Sequence, residues 1–540
     1  MEVERLHYDS LVYRYASRRN VVYAKKGMVA TGQPMAAQAG LEILRAGGNA
    51  IDAAIATAAC LTVVEPTSNG IGGDNFALVW TREKLYGLNC SGKSPKSISI
   101  EKLKERGITE IPKYGWIPVT VPGTPAGWAA LSKRFGKLPL TAVLAPAIRY
   151  ATEGYVLTPN VGKLWDRDYK NYKVSLKGKE FDSWFTTFAP NGRAPKPGET
   201  WKSPDHAKTL EVIAETQGEA FYRGALADKI DQFSRAYHGY LRKEDLEAFE
   251  PEWVEPISIN YRGYDVWEIP PNGHGLVALL ALKILSGYEF KDRDNIDTLH
   301  KQIEAMKLAF ADGPKYIADP RMMSVKVEQL LSESYAAQRR ALIGEEALMP
   351  TPGDPTASGT VYLATADEDG NMVSMIQSNY MGFGSGLVVP ETGIALHNRG
   401  HNFVLDINHD NALAPGKKPY HTIIPGFLTK NNKAIGPFGV MGGFMQPQGH
   451  VQVIMNTIDF HMNPQDALDA YRWQWVGGKR VDIEPDFPNP LALQLAAKGH
   501  EVVPQIDTIS MGRGQIIWRT EDGTLCGGTE PRTDGAIAAW

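Results

Sequence analysis

Residues 50–64, AIDAAIATAACLTVV, constrain how this chain can fold more than any other stretch. Alanine, isoleucine, leucine and valine fall on every side of the helix they form, and a helix that is apolar all round is a buried one. A first helix precedes it, from Pro34, where a first turn tolerates proline, to a stop at Gly47-Gly48. Pro66 ends the second. The chain then passes through Asn69-Gly70-Ile71-Gly72-Gly73-Asp74 into an apolar strand, Phe76–Trp80. Those glycines imitate a dinucleotide-binding fingerprint in composition only. The fingerprint needs strand, glycines and helix in that order, whereas here the helix comes first, so a tight turn with close backbone approach is expected.

Further along, residues 121–128 are expected to form a turn feeding a helix that runs to Phe135. Residues 160–210 are polar, aromatic and rich in Lys and Pro, and are expected to be surface excursions. An amphipathic helix is expected over 296–312, with Ile296, Leu299, Ile303, Met306, Ala309 and Phe310 on one face. Met349–Gly359 (MPTPGDPTASG) has almost no large apolar side chain and reads as an exposed linker. A strand follows at once over Thr360–Ala366. Asp369-Gly370 is a strong hairpin turn, and Met372–Gln377 returns as the partner strand. Strand and turn material continues to the C-terminus, with one helix near Pro464–Trp473.

The balance of the chain excludes several classes. With 540 residues, 43% hydrophobic and 22% charged, it has ample core material for one large layered domain or for two or more smaller ones. A net charge of -4 offers no basic excess for nucleic acid. Cys60, Cys90 and Cys526 form no CxxC and suit a reducing compartment. The first twenty residues show no signal-peptide h-region, and no apolar run is long enough to span a membrane, so a cytoplasmic location is expected. There is no HExxH, since His500-Glu501 lacks a second histidine. GxSxG is also missing, because Phe383 stands where Ser385 would need a glycine, and there is no Walker A lysine.

What remains is Thr360, where the linker ends and a strand begins. A threonine freed at a new N-terminus can use its own α-amine as base for its hydroxyl. An α-amine pKa of about 7.7–8 leaves part of it neutral near physiological pH. That amine exists only once the preceding peptide has broken, a step the same hydroxyl can drive by attacking the Gly359 carbonyl. Gly359, without a Cβ, widens the geometries open to that peptide. Gly-Thr ahead of a strand is also a common junction, and the residues alone leave both readings open.

A series of short motifs, in order, favours the first reading by resemblance. They are Ala30-Thr31-Gly32-Gln33-Pro34, Gly47-Gly48-Asn49-Ala50-Ile51-Asp52, Glu65-Pro66 with Gly70-Ile71-Gly72-Gly73, and the run at 122–128. Phe221-Tyr222-Arg223-Gly224, Glu304-Ala305-Met306-Lys307, Asp369-Gly370-Asn371, Phe383-Gly384-Ser385-Gly386, Gly442-Gly443 and Asp534-Gly535-Ala536 follow. Over nearly its whole length the chain resembles the gamma-glutamyltransferase (gamma-glutamyltranspeptidase) family, in particular its cephalosporin-acylase-like and oxamate-amidohydrolase-like branch. The resemblance implies an α+β, N-terminal-nucleophile hydrolase fold: a four-layer αββα sandwich of two antiparallel sheets between helices. It implies cleavage between Gly359 and Thr360 into fragments 1–359 and 360–540, which stay associated as one domain. Thr360 would be the nucleophile, Ser378 a hydroxyl beside it, and the backbone N–H groups of Gly442 and Gly443 an oxyanion hole, at roughly 3–4 kcal/mol per donor in comparable sites. No cofactor and no metal are implied. The partners are a small-molecule amide and a water or amine acceptor, with a homo-oligomer left open.

The departures from the family lie in the acyl pocket. Val361 replaces a second threonine. Ser91 stands where an arginine usually clamps the γ-glutamyl carboxylate, and Asn402 where an aspartate usually holds its ammonium. Tyr380 replaces an asparagine, Arg399 a glutamine, and His421-Thr422 a pair of serines. Charge-assisted hydrogen bonds contribute roughly 1.5–3 kcal/mol each, so recognition of a zwitterionic glutamyl head is weakened unless these groups are replaced. Arg399 suits an acyl group with a carboxylate but no ammonium, such as glutaryl or oxamyl; pairing with Glu391 or exposure to solvent is the alternative. His421 is either a second contact or a core histidine. The segment Val404–Lys418 is short beside the lid of other members. The reaction expected is transfer of an acyl group through acyl-Thr360, with glutathione-type γ-glutamyl amides as the family default. Glutaryl-, cephalosporin- or oxamate-type amides are favoured by the altered pocket. An uncleaved, non-catalytic binding protein is permitted by Val361 and that pocket, and opposed by Thr360, Gly442 and Gly443.

Overall fold

The computed structural model describes residues 19–350 and 359–540, and in it the Ala50–Val64 helix is buried along its whole length. A capping box fixes its start: the Asn49 side chain accepts the N–H groups of Ile51 and Asp52, and Asp52 accepts that of Asn49. The helix packs between the Pro34–Arg45 and Leu140–Glu153 helices and a seven-stranded sheet. The strand order in that sheet is Ala536–Ala539, Gly27–Thr31, Gly359–Asp367, Met372–Tyr380, Asp74–Thr81, Lys84–Cys90, Glu252–Val254. A second seven-stranded sheet runs Val22–Ala24, Leu525–Thr529, Arg513–Arg519, Lys433–Met441, Gly426–Lys430, Tyr264–Glu268, Ile257–Tyr261. Every pairing in both sheets is antiparallel.

Side-chain alternation decides what lies between the sheets. Along Gly359–Asp367, Tyr362, Ala364 and Ala366 face the second sheet and join a core with Phe76, Ile376, Phe427 and Ile517. Val361 and Leu363 face the helices instead. The outer side of the second sheet is covered by the Gly275–Leu285 and Met445–Ile458 helices. The layers are helix, sheet, sheet, helix, as the resemblance implied. The paired helices after Pro34, the Thr124–Phe135 helix, the Ile296–Tyr316 helix and the Asp369-Gly370 hairpin all form where expected. No described helix is long and apolar enough to cross a membrane.

Two expectations need correcting. Residues 160–210 are not surface excursions. The helices Pro159–Ser175, Asp182–Phe188 and Pro204–Thr216 enclose an aromatic cluster. In it Trp165, Trp184 and Phe188 surround Phe383 with ring centroids 5.4, 5.2 and 4.6 Å away. The lysines that suggested a surface, among them Lys163, Lys170, Lys173 and Lys177, occupy the outer faces. The C-terminal third also holds three helices rather than one: Met445–Ile458, Pro464–Asp469 and Asn489–Ala497. Met445–Ile458 is masked in sequence by Gln446, Gln448 and Gln452, which are buried because each bonds to backbone of neighbouring strands or loops. The helix begun at Pro464 stops at Asp469 because Trp473 opens a strand. The linker residues 351–358 and the N-terminal residues 1–18 lie outside the described residues.

Phe383 joins the C-terminal part of the chain to the 159–216 helices, and a buried Phe→Ala change costs about 3–5 kcal/mol. In limited proteolysis, Phe383→Ala is expected to be cut within 159–216 before any other region. A digestion pattern and rate like those of the wild type would contradict this role.

Candidate active site

Thr360 is fully buried, and its Oγ1 lies 3.1 Å from Ser378 Oγ on the neighbouring strand. Both strands break their regular path here. The register slips between Gly359 and Val361, leaving Thr360 at a bulge, while opposite Gly359 the backbone of Tyr380 turns to φ +75°. Bulges of this kind re-aim side chains at the ends of sheets. Ser378 Oγ also accepts the Tyr380 N–H at 2.8 Å, which fixes the hydroxyl's orientation toward Thr360.

Gly442 and Gly443 follow the Lys433–Met441 strand and precede the Met445–Ile458 helix. Their φ values of +138° and +61° are ones that favour glycine. Their carbonyls accept from Met445 and Gln446, whereas their own N–H groups donate to no described protein group. Two open amide donors at a helix N-terminus form a ready site for negative charge.

Arg399, Thr422, Tyr380 and Asn402 form one connected cluster. Arg399 is fully buried, and its Nη1 donates to Thr422 Oγ1 at 2.6 Å. Its guanidinium stacks 4.3 Å from the centre of the Tyr380 ring. The Tyr380 hydroxyl donates to Asn402 Oδ1 at 2.5 Å, and Asn402 Nδ2 donates to the carbonyl of Tyr420 at 2.9 Å. Arg399 neither pairs with Glu391 nor meets solvent: Glu391 is taken by Lys229 at 3.2 Å. Its Nε and Nη2 carry no hydrogen bond. Ser91 lies one step further out, bonded to Asn89 and Asn272, whose carbonyl in turn accepts the His421 N–H. The Val404–Lys418 segment packs through Ala412 and Leu413 onto Ile98, Ile100, Leu103 and Ile111.

Sequence reasoning passed over Asp74. Its Oδ2 is 3.8 Å from Arg399 Nε and accepts from His421 Nε2 at 2.8 Å. His421 Nδ1 accepts the Ile423 N–H, so the hydrogen must sit on Nε2 and the ring is neutral. Burial, then Arg399, push His421 far below the usual histidine range. Burial also pushes the Asp74 carboxyl up to about 7 against the pull of Arg399, and brings Arg399 down to about 10 against the pull of Asp74. The signal was present in the sequence: an acid inside DNFALVW, a strand buried on both faces, needs a cation.

Two cavities adjoin near Thr360 through shared lining residues. One of about 10 Å³ is lined by Thr360, Glu65, Gly32, Tyr362, Met441 and Arg513, among others. The second, of about 500 Å³, reaches Gly442 and shares Met441 and Arg513 with the first. Far from both, His300, Glu304 and His500 place ligand atoms within 4.8 Å of one another. Lys307 donates to Glu304 at 2.7 Å, and His300 and His500 bond to each other at 2.9 Å, so a lysine serves where a metal would.

Removing Asp74 alone strands Arg399 in the interior, a change that costs about 3–5 kcal/mol for buried pairs. Asp74→Leu is expected to lower the Tm sharply, and Asp74→Leu with Arg399→Leu to recover much of the loss. A double variant no more stable than the single one would show that the pair is not coupled.

An αββα sandwich of two antiparallel sheets places the protein among the N-terminal-nucleophile hydrolases. The chain belongs to the gamma-glutamyltranspeptidase family, whose model matches residues 36–540, and it is an enzyme of that hydrolase and transferase class. It is similar to the crystal structure of cephalosporin acylase from Bacillus halodurans. The identity is 66%, the TM-score 0.95, and the match covers 98% of this chain and 99% of that one. It is 38% identical to the glutathione hydrolase-like YwrD proenzyme of Bacillus subtilis, over 95% of this chain and 98% of that protein. It is 33% identical to the oxamate amidohydrolase proenzyme of Klebsiella pneumoniae, over 95% and 98% respectively.

Proposed function

We propose that the protein matures by breaking the Gly359–Thr360 bond and that Thr360 then carries an acyl group from an amide to water or an amine. The observation that carries this reading is the Thr360 hydroxyl 3.1 Å from that of Ser378, in a small cavity also lined by Met441, the residue that leads into the open amides of Gly442 and Gly443. The freed α-amine is the base, the two amides take the developing oxyanion, and the neighbouring 500 Å³ cavity receives the amine portion of the substrate. Fragments 1–359 and 360–540 stay together because the sheets interleave them. Gly27–Thr31 of the first lies between Leu363–Asp367 and Ala536–Ala539 of the second. His300–His500 and Ala347–Lys498 bonds add to the junction. Purified wild type is expected as two fragments and Thr360→Ala as one, by intact mass under denaturing conditions. Efficient cleavage in Thr360→Ala would remove Thr360 from the role.

For the acyl group, we propose a chain ending in a carboxylate without an ammonium, of glutaryl type. Arg399 has two unbonded guanidinium nitrogens, and the relative from Bacillus halodurans is named a cephalosporin acylase. An α-ammonium beside Arg399 is repelled by about 4 kcal/mol at an effective dielectric of 20 and 4 Å separation. Glutaryl-p-nitroanilide is therefore expected to show about tenfold higher kcat/KM than γ-glutamyl-p-nitroanilide, a difference of about 1.4 kcal/mol, and Arg399→Gln to shrink or reverse the preference. Asp74 supports a second reading: with Arg399 it restores one carboxylate and one guanidinium, the two charges a γ-glutamyl head needs.

The two readings separate in pH and in one variant. Asp74 has its carboxyl raised to about 7, so it is charged above that pH and neutral below it. On the glutaryl reading, lowering the pH from about 8 to about 6 uncovers the Arg399 charge and lowers KM for the glutaryl donor, even as protonation of the amine lowers kcat. Asp74→Asn is expected to fix that low KM at all pH values. Loss of γ-glutamyl turnover in Asp74→Asn, with glutaryl KM unchanged, would establish the zwitterion reading instead.

A further inference from the structure

The maturation proposed above poses a chemical problem that the mature enzyme does not face. Before cleavage the Thr360 nitrogen is an amide and cannot act as a base. Ser378, the hydroxyl beside Thr360, has no tendency to ionise near neutral pH. Another group has to accept the Thr360 proton.

The small cavity beside Thr360 holds one candidate. Its ionisable lining groups are Glu65, Tyr362 and Arg513. Tyr362 turns its hydroxyl to Ser374 at 2.8 Å, and burial raises its pKa beyond use. Arg513 is a cation, bonded to Glu65 Oε1 at 3.0 Å and directed by Nη2 toward Ser68 Oγ. Glu65 remains. It follows the buried Ala50–Val64 helix directly, its backbone N–H bonds Leu61, and Asn69 Nδ2 donates to its carbonyl at 2.9 Å, so the residue is held in place. The cavity volume of about 10 Å³ is close to the minimum that accommodates a single water. A base acts well through one water.

We propose that Glu65, acting through one water in this cavity, is the proton acceptor for cleavage of the Gly359–Thr360 bond. This rests on the reading of Thr360 as nucleophile. The Glu65 carboxylate takes the Thr360 Oγ1 proton through the water as Oγ1 attacks the Gly359 carbonyl carbon. The C–N bond then breaks, the proton passes from Glu65 to the departing nitrogen, and Gly359 is left as an ester on Thr360 Oγ1. A second water hydrolyses the ester, giving the Gly359 carboxylate, the free Thr360 hydroxyl and the α-amine. From then on the α-amine is the base and Glu65 is no longer required for turnover.

The electrostatics agree with this assignment. Burial raises the Glu65 carboxyl to about 7, with Arg513 pulling it down and Asp534 pushing it up; Tyr155 is a further neighbour. A base with that pKa is half ionised near neutral pH and strong enough to accept a proton there. Cleavage should then rise with pH through about 7. Arg513→Met removes the group that favours the charged form and should move that rise to higher pH.

The test uses full-length chain made by cell-free translation, with cleavage followed on denaturing gels across pH. Glu65→Gln keeps the hydrogen bond to Arg513 and is expected to cleave about 100-fold more slowly, in line with a general-base contribution. It should also lose the pH rise. Glu65→His, which supplies another base, should restore much of the rate. To separate this from folding, fragments 1–359 and 360–540 are co-produced with Thr360 already at an N-terminus. Glu65→Gln in that pair should hydrolyse its donor at about the wild-type kcat. Wild-type cleavage in Glu65→Gln, no rescue by Glu65→His, or an equal loss of kcat in the preformed pair would each overturn the proposal. Wild-type chain that never cleaves would overturn the Thr360 reading instead.

Discussion

The nucleophile hairpin is placed by polar bonds to a helix that has no polar face. The Ala50–Val64 helix can be buried only if its ends and its few polar contacts are satisfied from outside. The two strands of the hairpin do this. Asp367 Oδ2 accepts the Ala50 N–H at 2.8 Å, Thr365 Oγ1 donates to the Ala50 carbonyl at 2.7 Å, and Gln377 Nε2 donates to the Ala58 carbonyl at 2.7 Å. These bonds pin the register of Gly359–Asp367 against Met372–Tyr380. A slip of one residue would turn Thr360 and Ser378 toward the helices and bring Val361 into the space between the sheets.

The proposed site on this frame has two parts, the hydroxyls and amides around Thr360 and the charged cluster around Arg399. The hydroxyl pair and the glycine amides ask only for backbone geometry and a register, which the sandwich supplies. The Arg399 cluster depends on charge, and its charges come as a set. Buried Arg399 has Asp74 as its counter-charge, and neutral His421 donates to that same carboxylate. Asp74, Arg399 and His421, far apart along the chain, are one electrostatic unit. That unit lies within reach of Tyr380, whose ring stacks on Arg399 and whose backbone turn faces Gly359. Charge in the pocket and geometry at the nucleophile are therefore linked through one residue.

Much of this was legible in the sequence where local rules act alone. The all-apolar helix, the Asp369-Gly370 hairpin and the amphipathic Ile296–Tyr316 helix follow from periodicity and turn chemistry, and they form as expected. The motifs gave the family and, through it, the positions of the residues brought together here. What could not be read depends on tertiary partners. Lysines on outer faces disguised the aromatic cluster around Phe383. Buried glutamines disguised Met445–Ile458, because a glutamine's place is set by the carbonyls it meets. The acid at Asp74, opening an apolar strand, signalled a need for a cation, and Glu65 sat in a proline turn, but only the fold reveals that Arg399 and Arg513, hundreds of residues away, are their counterions.

The central claim is that the acyl group travels on Thr360. The most direct measurement is peptide mass spectrometry on enzyme quenched by acid during turnover of a slow glutaryl donor. The account predicts a glutaryl mass increment on the peptide that begins at Thr360, with that residue at a free N-terminus. An increment on any other residue, or an active enzyme whose peptide still spans Gly359 and Thr360, would contradict it.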